Sequence, residues 1–263
     1  MKKRFRDKRC AYCCCKPATT EDHVFATGFS HKADRDNNPL PKAPACDDCN
    51  GKKSKLDEYA MTVLAFGARH TSALPIVDTV GIRRVQNNKP LHKKLQQGYD
   101  LAWVNDPSGL LVPTSTFPVD SRPLSELFEY IARGLIWRHW GAYLENNEGI
   151  HVMFLTQEGD RDFRECFARW PGLCVRENLR NETVRYEGLH NPGDPQFSAW
   201  RISIYGGVHI ARRDPAKGVC TTIGIITGKQ HRPDAERTNH VQHRPPLDID
   251  DQNRDNSIRN HET

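Results

Sequence analysis

Cys10-Ala11-Tyr12-Cys13 and Cys46-Asp47-Asp48-Cys49-Asn50 decide how this chain is read. Each contains a CxxC pair, a spacing that turns the backbone into a tight knuckle and aims two thiolates at one point. Two such knuckles complete a tetrahedral zinc site with Zn–S bonds of about 2.3 Å. The need for a metal shows in the sequence between them. Residues 10–53 are rich in Cys, Asp, Asn and Pro and poor in apolar side chains, so this segment cannot bury a core alone and requires a staple. A bound ion supplies that folding energy. Cys14 and Cys15 adjoin the first knuckle, and Cys15 is an alternative ligand.

Working outward, six of the nine cysteines (Cys10, Cys13, Cys14, Cys15, Cys46 and Cys49) fall within residues 10–49. In a reducing compartment such clustering points to metal before disulfides. Cys166, Cys174 and Cys220 are scattered and read as small buried hydrophobes. The charge follows the cysteines: residues 1–70 carry 14 Lys and Arg against 9 Asp and Glu, while the remainder carries 24 of each, so the net +5 sits entirely on the first segment. A basic excess beside a metal site suggests a polyanionic partner; without that placement the same charge would be a solvated surface. No stretch approaches the roughly 20 apolar residues of a membrane span. The basic residues 1–9 lead into Cys10 rather than an apolar signal core, so a cytoplasmic location is expected.

The remaining pattern predicts an α+β fold in three parts. Residues 1–70 form the zinc-stabilised module, residues 71–228 an α+β companion domain, and residues 229–263, almost without apolar side chains, a disordered tail. Leu56, Tyr59, Ala60, Val63 and Leu64 recur at helical period, with Ser54 as the expected cap and Asp57 three residues on. Residues 71–120 read as short strands and loops. A second helix is expected over residues 124–140, where Leu124, Leu127, Phe128, Ile131 and Leu135 share a face and Ser121 or Ser125 starts the run. Strands are expected at residues 151–155, 200–204 and 219–226, and a helix at 160–170. Trp137, His139 and Trp140 crowd the end of the second helix, with Arg133 and Arg138 beside them. Such a cluster can stack on bases but is more often core.

Between the knuckles lies Glu21-Asp22-His23-Val24, and after the last cysteine comes Asn50-Gly51-Lys52-Lys53-Ser54-Lys55. With CAYC at 10–13, EDHV at 21–24 and CDDCNGKKSK at 46–55, residues 8–66 resemble the HNH endonuclease family, whose catalytic unit is a ββα-metal fold. The variant it most resembles is the His-Asn-Asn type of phage junction resolvases, in which an asparagine follows the final CxxC. The resemblance implies that His23 is the general base, that Asp22 and Asn50 hold one divalent ion (Mg²⁺ or Mn²⁺), and that Cys10, Cys13, Cys46 and Cys49 hold a structural Zn²⁺. The chemistry is coherent apart from the family. Phosphodiester hydrolysis needs a base titrating near neutral pH and a hard cation on oxygen ligands. Lys52, Lys53 and Lys55, with Arg4 and Arg6 of the basic arm, are the expected phosphate contacts. The expected activity is metal-dependent endonuclease cleavage of nucleic acid, with double-stranded DNA as substrate. The alternative is a non-catalytic zinc-stapled module that binds nucleic acid or protein. Two departures stand out. Pro41 occupies the place where the family has a bracing asparagine, with Asn37 and Asn38 nearby, and only Gly28 stands where a Gly-Gly often follows the histidine. Asp22 capping a turn and His23 merely packing is the bland alternative. His31 and His70 read as surface residues.

Overall fold

The computed structural model describes residues 5, 7–30, 39–67, 89–98, 100–105, 110–116, 118–145, 148–208, 210–211, 219–220 and 222–229. The fold is α+β. In chain order it comprises β1 (Thr20–His23), β2 (Lys42–Ala45), α1 (Asp47–Phe66), α2 (Lys89–Gln97), β3 (Asp100–Asn105), β4 (Leu111–Thr116) and α3 (Ser121–Trp140). These are followed by β5 (Glu148–Leu155), α4 (Gln157–Arg169), β6 (Cys174–Leu179), β7 (Val184–Asn191), β8 (Asp194–Ile204), β9 (Ile210–Ala211), β10 (Val219–Cys220) and β11 (Thr222–Lys229). Among the described residues, no helix is long and apolar enough to cross a membrane.

β1 and β2 pair antiparallel, with Asp22 opposite Ala43 and His23 opposite Lys42. α1 starts almost at once, with Cys46 as its N-cap and Asp47 and Asp48 in the first turn, where carboxylates favour the positive end of the helix dipole. The sequence places this helix start at Ser54, but Ser54 lies in the helix interior. The apolar period becomes visible only at Leu56, whereas the second knuckle is itself the first helical turn, closed by Asn50 N–H donating to the Cys46 carbonyl at 2.9 Å.

α3 is the beam on which the other layers rest. Asp120, rather than Ser121 or Ser125, caps it by accepting from Arg122 N–H at 3.1 Å, and Gly141 ends it in a left-handed turn. Leu124, Leu127, Phe128, Ile131 and Leu135 are fully buried, as their spacing predicts. One side of α3 receives α1 and the β1–β2 hairpin; Gly134 leaves room for Val24, which a Cβ there would approach to 2.8 Å. The other side covers a five-stranded antiparallel sheet of order β5-β11-β8-β7-β6. Trp200, Ile202, Ile223 and Ile225 lie buried in this core, in a register that sets Ile223 beside Ile202 and Ile225 beside Trp200. The Trp200 indole lies over Gly188, its cross-strand partner, where a Cβ would meet the ring at 2.2 Å.

α4 lies on the sheet's opposite face, clamped through Asp160. That carboxylate accepts from Arg201 Nε at 2.6 Å and from Thr222 Oγ1 at 2.6 Å. The helix spans Gln157–Arg169, with Thr156 as N-cap, and begins slightly before the expected start. α2 corrects the expectation of only strands and loops in residues 71–120. Its apolar positions are too few to stand out against Lys89, Lys93 and Lys94.

The cysteine-rich segment and the sheet share one apolar core. Phe25 stacks on Tyr186 at 5.5 Å, and Tyr205 Oη donates to the Phe29 carbonyl at 2.8 Å. The boundary expected near residue 70 falls in residues 68–88, outside those described. So does the expected tail, apart from Lys229, the last residue of β11. Trp137, His139 and Trp140 belong to this core rather than to an open stacking surface. Trp137 packs on Phe5 at 5.5 Å, and Trp140 on Trp200 at 4.8 Å and His190 at 4.3 Å.

His139 Nε2 lies 3.0 Å from Tyr186 Oη. Burial first, then the Arg138 charge, lowers its pKa to about 4. The unfolded chain therefore binds more protons on this residue between that value and about 6.5, and stability contributed by neutral His139 is present above pH 6.5 and lost as pH falls toward 4. Acidification from pH 7 to 5 should destabilise the protein, and His139→Gln should reduce that loss by about 1–2 kcal/mol, as read from urea midpoints.

Candidate functional site

The four Sγ atoms of Cys10, Cys13, Cys46 and Cys49 lie within 4.8 Å of one another, and those of Cys13 and Cys46 are 3.9 Å apart. A tetrahedral ZnS₄ centre has S–S edges of about 3.8 Å, so four thiolates here can close on one ion with little movement. The backbone builds this convergence. Cys10 N–H donates to the Lys16 carbonyl and Ala11 N–H to the Pro44 carbonyl, both at 2.8 Å, which ties the first knuckle to β2. Lys16 pairs with Asp48, which ties it to α1. Cys46, the N-cap, and Cys49 stand at the first turn of α1, and burial first, then the hydrogen bond with Cys46, pushes the Cys49 thiol pKa up. Burial raises the Cys10 pKa to about 11. Cys13 is drawn down to about 6: burial opposes the change, but hydrogen bonds from the Cys15 and Lys16 backbone outweigh it.

The structure also separates the ligands from their neighbours. Cys14 takes a positive φ of 61° and turns away, its thiol donating to the Leu144 carbonyl at 3.2 Å. Cys15 is exposed and lies outside the four-cysteine group.

Asp22 and His23 close β1. Successive strand residues leave on opposite faces. His23 therefore shares a face with Glu21 and Lys42, which pair at 2.8 Å, while Asp22 turns toward Tyr12 and α1. The half-buried His23 has its pKa lowered, first by burial and then by Lys42, against the opposing charges of Asp22 and Glu21. Its imidazole is thus neutral and able to accept a proton at neutral pH. Asp22 Oδ2 accepts from Tyr12 Oη at 2.6 Å and faces the Lys53 ammonium at 3.2 Å.

Asn50 sits in the first turn of α1, three residues before Lys53 and so on the same side of the helix. Lys53 reaches across to β1, donating to the His23 carbonyl at 2.9 Å and to Asp57 Oδ2 at 2.8 Å. Asn50, partly exposed, is thereby carried on the β1-facing side of α1.

Lys53 departs from its expected role. Its side chain is 0% exposed, held by Asp22, Asp57 and a carbonyl, so it is not presented to phosphates. Its helical phase explains this: Lys53, Asp57, Ala60 and Leu64 form the buried stripe of α1. Lys52 and Lys55, out of that phase, are exposed as expected. Arg4 and Arg6 lie outside the described residues, as do Asn37 and Asn38, while Pro41 accepts from Val24 N–H at 2.8 Å through its carbonyl. Sequence reasoning also missed Tyr12, the donor to Asp22; its place inside the first CxxC was the available signal.

Comparison with protein-family models, curated proteins and solved structures gave no match.

Two outcomes follow from this geometry. Elemental analysis should find about one zinc per chain, and Cys46→Ser should lose the metal together with the order of the hairpin. Lys53→Met, which strands two carboxylates beside apolar chain, should cost about 3–5 kcal/mol in a denaturant titration.

Proposed function

We propose that this chain is a metal-dependent endonuclease of the HNH type, in its His-Asn-Asn form, acting on double-stranded DNA. The observation that carries this reading is the succession β1–β2–α1 gathered on four cysteines, with Asp22-His23 ending the first strand and Asn50 opening the helix beside it. This is the chain order of a ββα-metal unit.

The donor set suits the chemistry. A carboxylate and an amide oxygen are hard ligands of the kind Mg²⁺ or Mn²⁺ takes, and such an ion supplies charge stabilisation at a phosphoryl and leaving oxygen. Asp22 would contribute Oδ1 to it, since Oδ2 is engaged by Tyr12 and Lys53. Asn50 would contribute its amide oxygen. His23, on the opposite face of the strand end, would take the proton from an attacking water. Base and electrophile then flank the scissile phosphate from two sides, as in-line displacement requires. Lys52 and Lys55 would hold neighbouring phosphates.

One observation favours a second reading, a zinc-stapled module that binds nucleic acid without cutting it. The Lys53 ammonium already neutralises Asp22, the carboxylate the ion would need.

A plasmid-nicking assay with Mg²⁺ or Mn²⁺ separates the two. The nuclease reading expects cleavage by the unaltered chain and a loss of 10²-fold or more in His23→Ala at unchanged zinc content. DNA retention without cleavage, equal in both proteins, would leave only the binding module.

A further inference from the structure

α2 and the β3–β4 ribbon take no part in the site above. Their chemistry is nonetheless specific. Antiparallel pairing sets Leu101 opposite Ser115, Trp103 opposite Pro113 and Asn105 opposite Leu111. Alternation puts Leu101, Trp103, Leu111 and Pro113 on one face of the ribbon. That face is open: Leu101 is 61% exposed, Trp103 66% and Leu111 65%. A two-stranded ribbon is marginal in water, and a contiguous apolar face on one marks a place where something docks.

The charge beside it says what. Residues 79–99, which lead into the ribbon, hold five Lys and Arg and no Asp or Glu, although residues 71–263 as a whole are neutral. On α2, Lys89 and Lys93 are exposed at an i,i+4 spacing, so both cations project from one side of the helix, and the exposed Gln96 and Gln97 extend that polar face. The two elements also share a root. Gly98, between α2 and β3, lies against Pro118 at the base of β4, so closely that a Cβ would come within 2.4 Å.

We propose that α2 and the β3–β4 ribbon form a nucleic-acid-binding arm, in which Lys89 and Lys93 engage phosphates and the Trp103 face lies against the bases of the same DNA. Both elements match grooved, polyanionic nucleic acid. A two-stranded ribbon fits a DNA groove, apolar side chains on it can wedge at base steps, and an indole stacks on any exposed base. A second protein surface would match the apolar face but would leave the acid-free cationic helix without a counterpart. This inference rests on the nuclease reading and deepens it by assigning substrate grip to elements outside the four-cysteine cluster.

The test is binding of a labelled DNA duplex to the full chain carrying His23→Ala and no added Mg²⁺, followed by anisotropy over a range of salt. Trp103→Ala should weaken binding about tenfold at every salt concentration with the slope unchanged. Lys89→Ala with Lys93→Ala should lower the slope of log K against log salt by about 1.8, two phosphate contacts. All three substitutions are at exposed positions and should leave the unfolding midpoint unchanged. Unaltered affinity and slope in these variants, or a parent chain that does not bind DNA, would overturn the arm. So would a change in oligomeric state by light scattering in Trp103→Ala with DNA binding intact, which would assign the face to a second copy of the chain. Because the readout is binding, an arm that grips DNA in a chain that never cleaves it sinks the nuclease reading alone. Cleavage with unaffected arm variants sinks the arm alone.

Discussion

Four thiols converging on one point are the constraint from which the N-terminal architecture follows. The first knuckle is bonded to β2 through Ala11 and Pro44, and the second is the opening turn of α1. A metal bound there would join a strand pair and a helix whose Ala43, Ala45, Ala60 and Leu64 also lie in the common apolar core. Asp22 and His23 then end β1 on its two faces, and Asn50 stands in the first turn of α1. The Lys53 network, the Lys16–Asp48 pair and the shared apolar core also join the cysteine-rich segment to the helix.

That network is the second structural commitment and the more unusual one. A fully buried ammonium beside two carboxylates is costly to desolvate unless it is paired. The Lys53 ammonium is satisfied by Asp22, Asp57 and the His23 carbonyl, while Asp57 Oδ1 is buried without a hydrogen-bond partner among the described residues. Burial nevertheless raises the Asp57 pKa to about 6, against the pull of Lys53. The arrangement fixes the end of β1 to the middle of α1 and orients Asp22 with one oxygen occupied. It also sets a positive charge 3.2 Å from the Asp22 carboxylate.

Much of this was legible from residues alone, and the failures have physical causes. The two CxxC pairs disclosed the four-cysteine cluster because their spacing is a local geometric rule. The choice against Cys14 and Cys15 needed the backbone turn at Cys14, which a string of cysteines does not reveal. α3 was visible through its wide apolar face. α1 was visible only in part, because its first two turns carry cysteines, acids and lysines in place of an apolar stripe. Lys53 looked like one of three equivalent lysines, and only helical phase, read back from Ala60 and Leu64, turns it inward. The β6–β7 hairpin was overlooked because its turn, Arg180-Asn181-Glu182, has no glycine, although all three residues adopt positive φ. Packing of the zinc segment onto the sheet, through Phe25 and Phe29, is a long-range fact that no periodicity encodes.

The proposed nuclease activity requires a divalent ion held by Asp22 and Asn50 beside a separate tetrathiolate zinc. Anomalous diffraction from crystals of the full chain soaked in Mn²⁺ tests this most directly. The expected map has a zinc-edge peak among the sulfurs of Cys10, Cys13, Cys46 and Cys49 and a distinct manganese peak between the Asp22 carboxylate and the Asn50 amide oxygen. A zinc peak alone, with Lys53 still paired to Asp22 and no manganese beside Asn50, would contradict it.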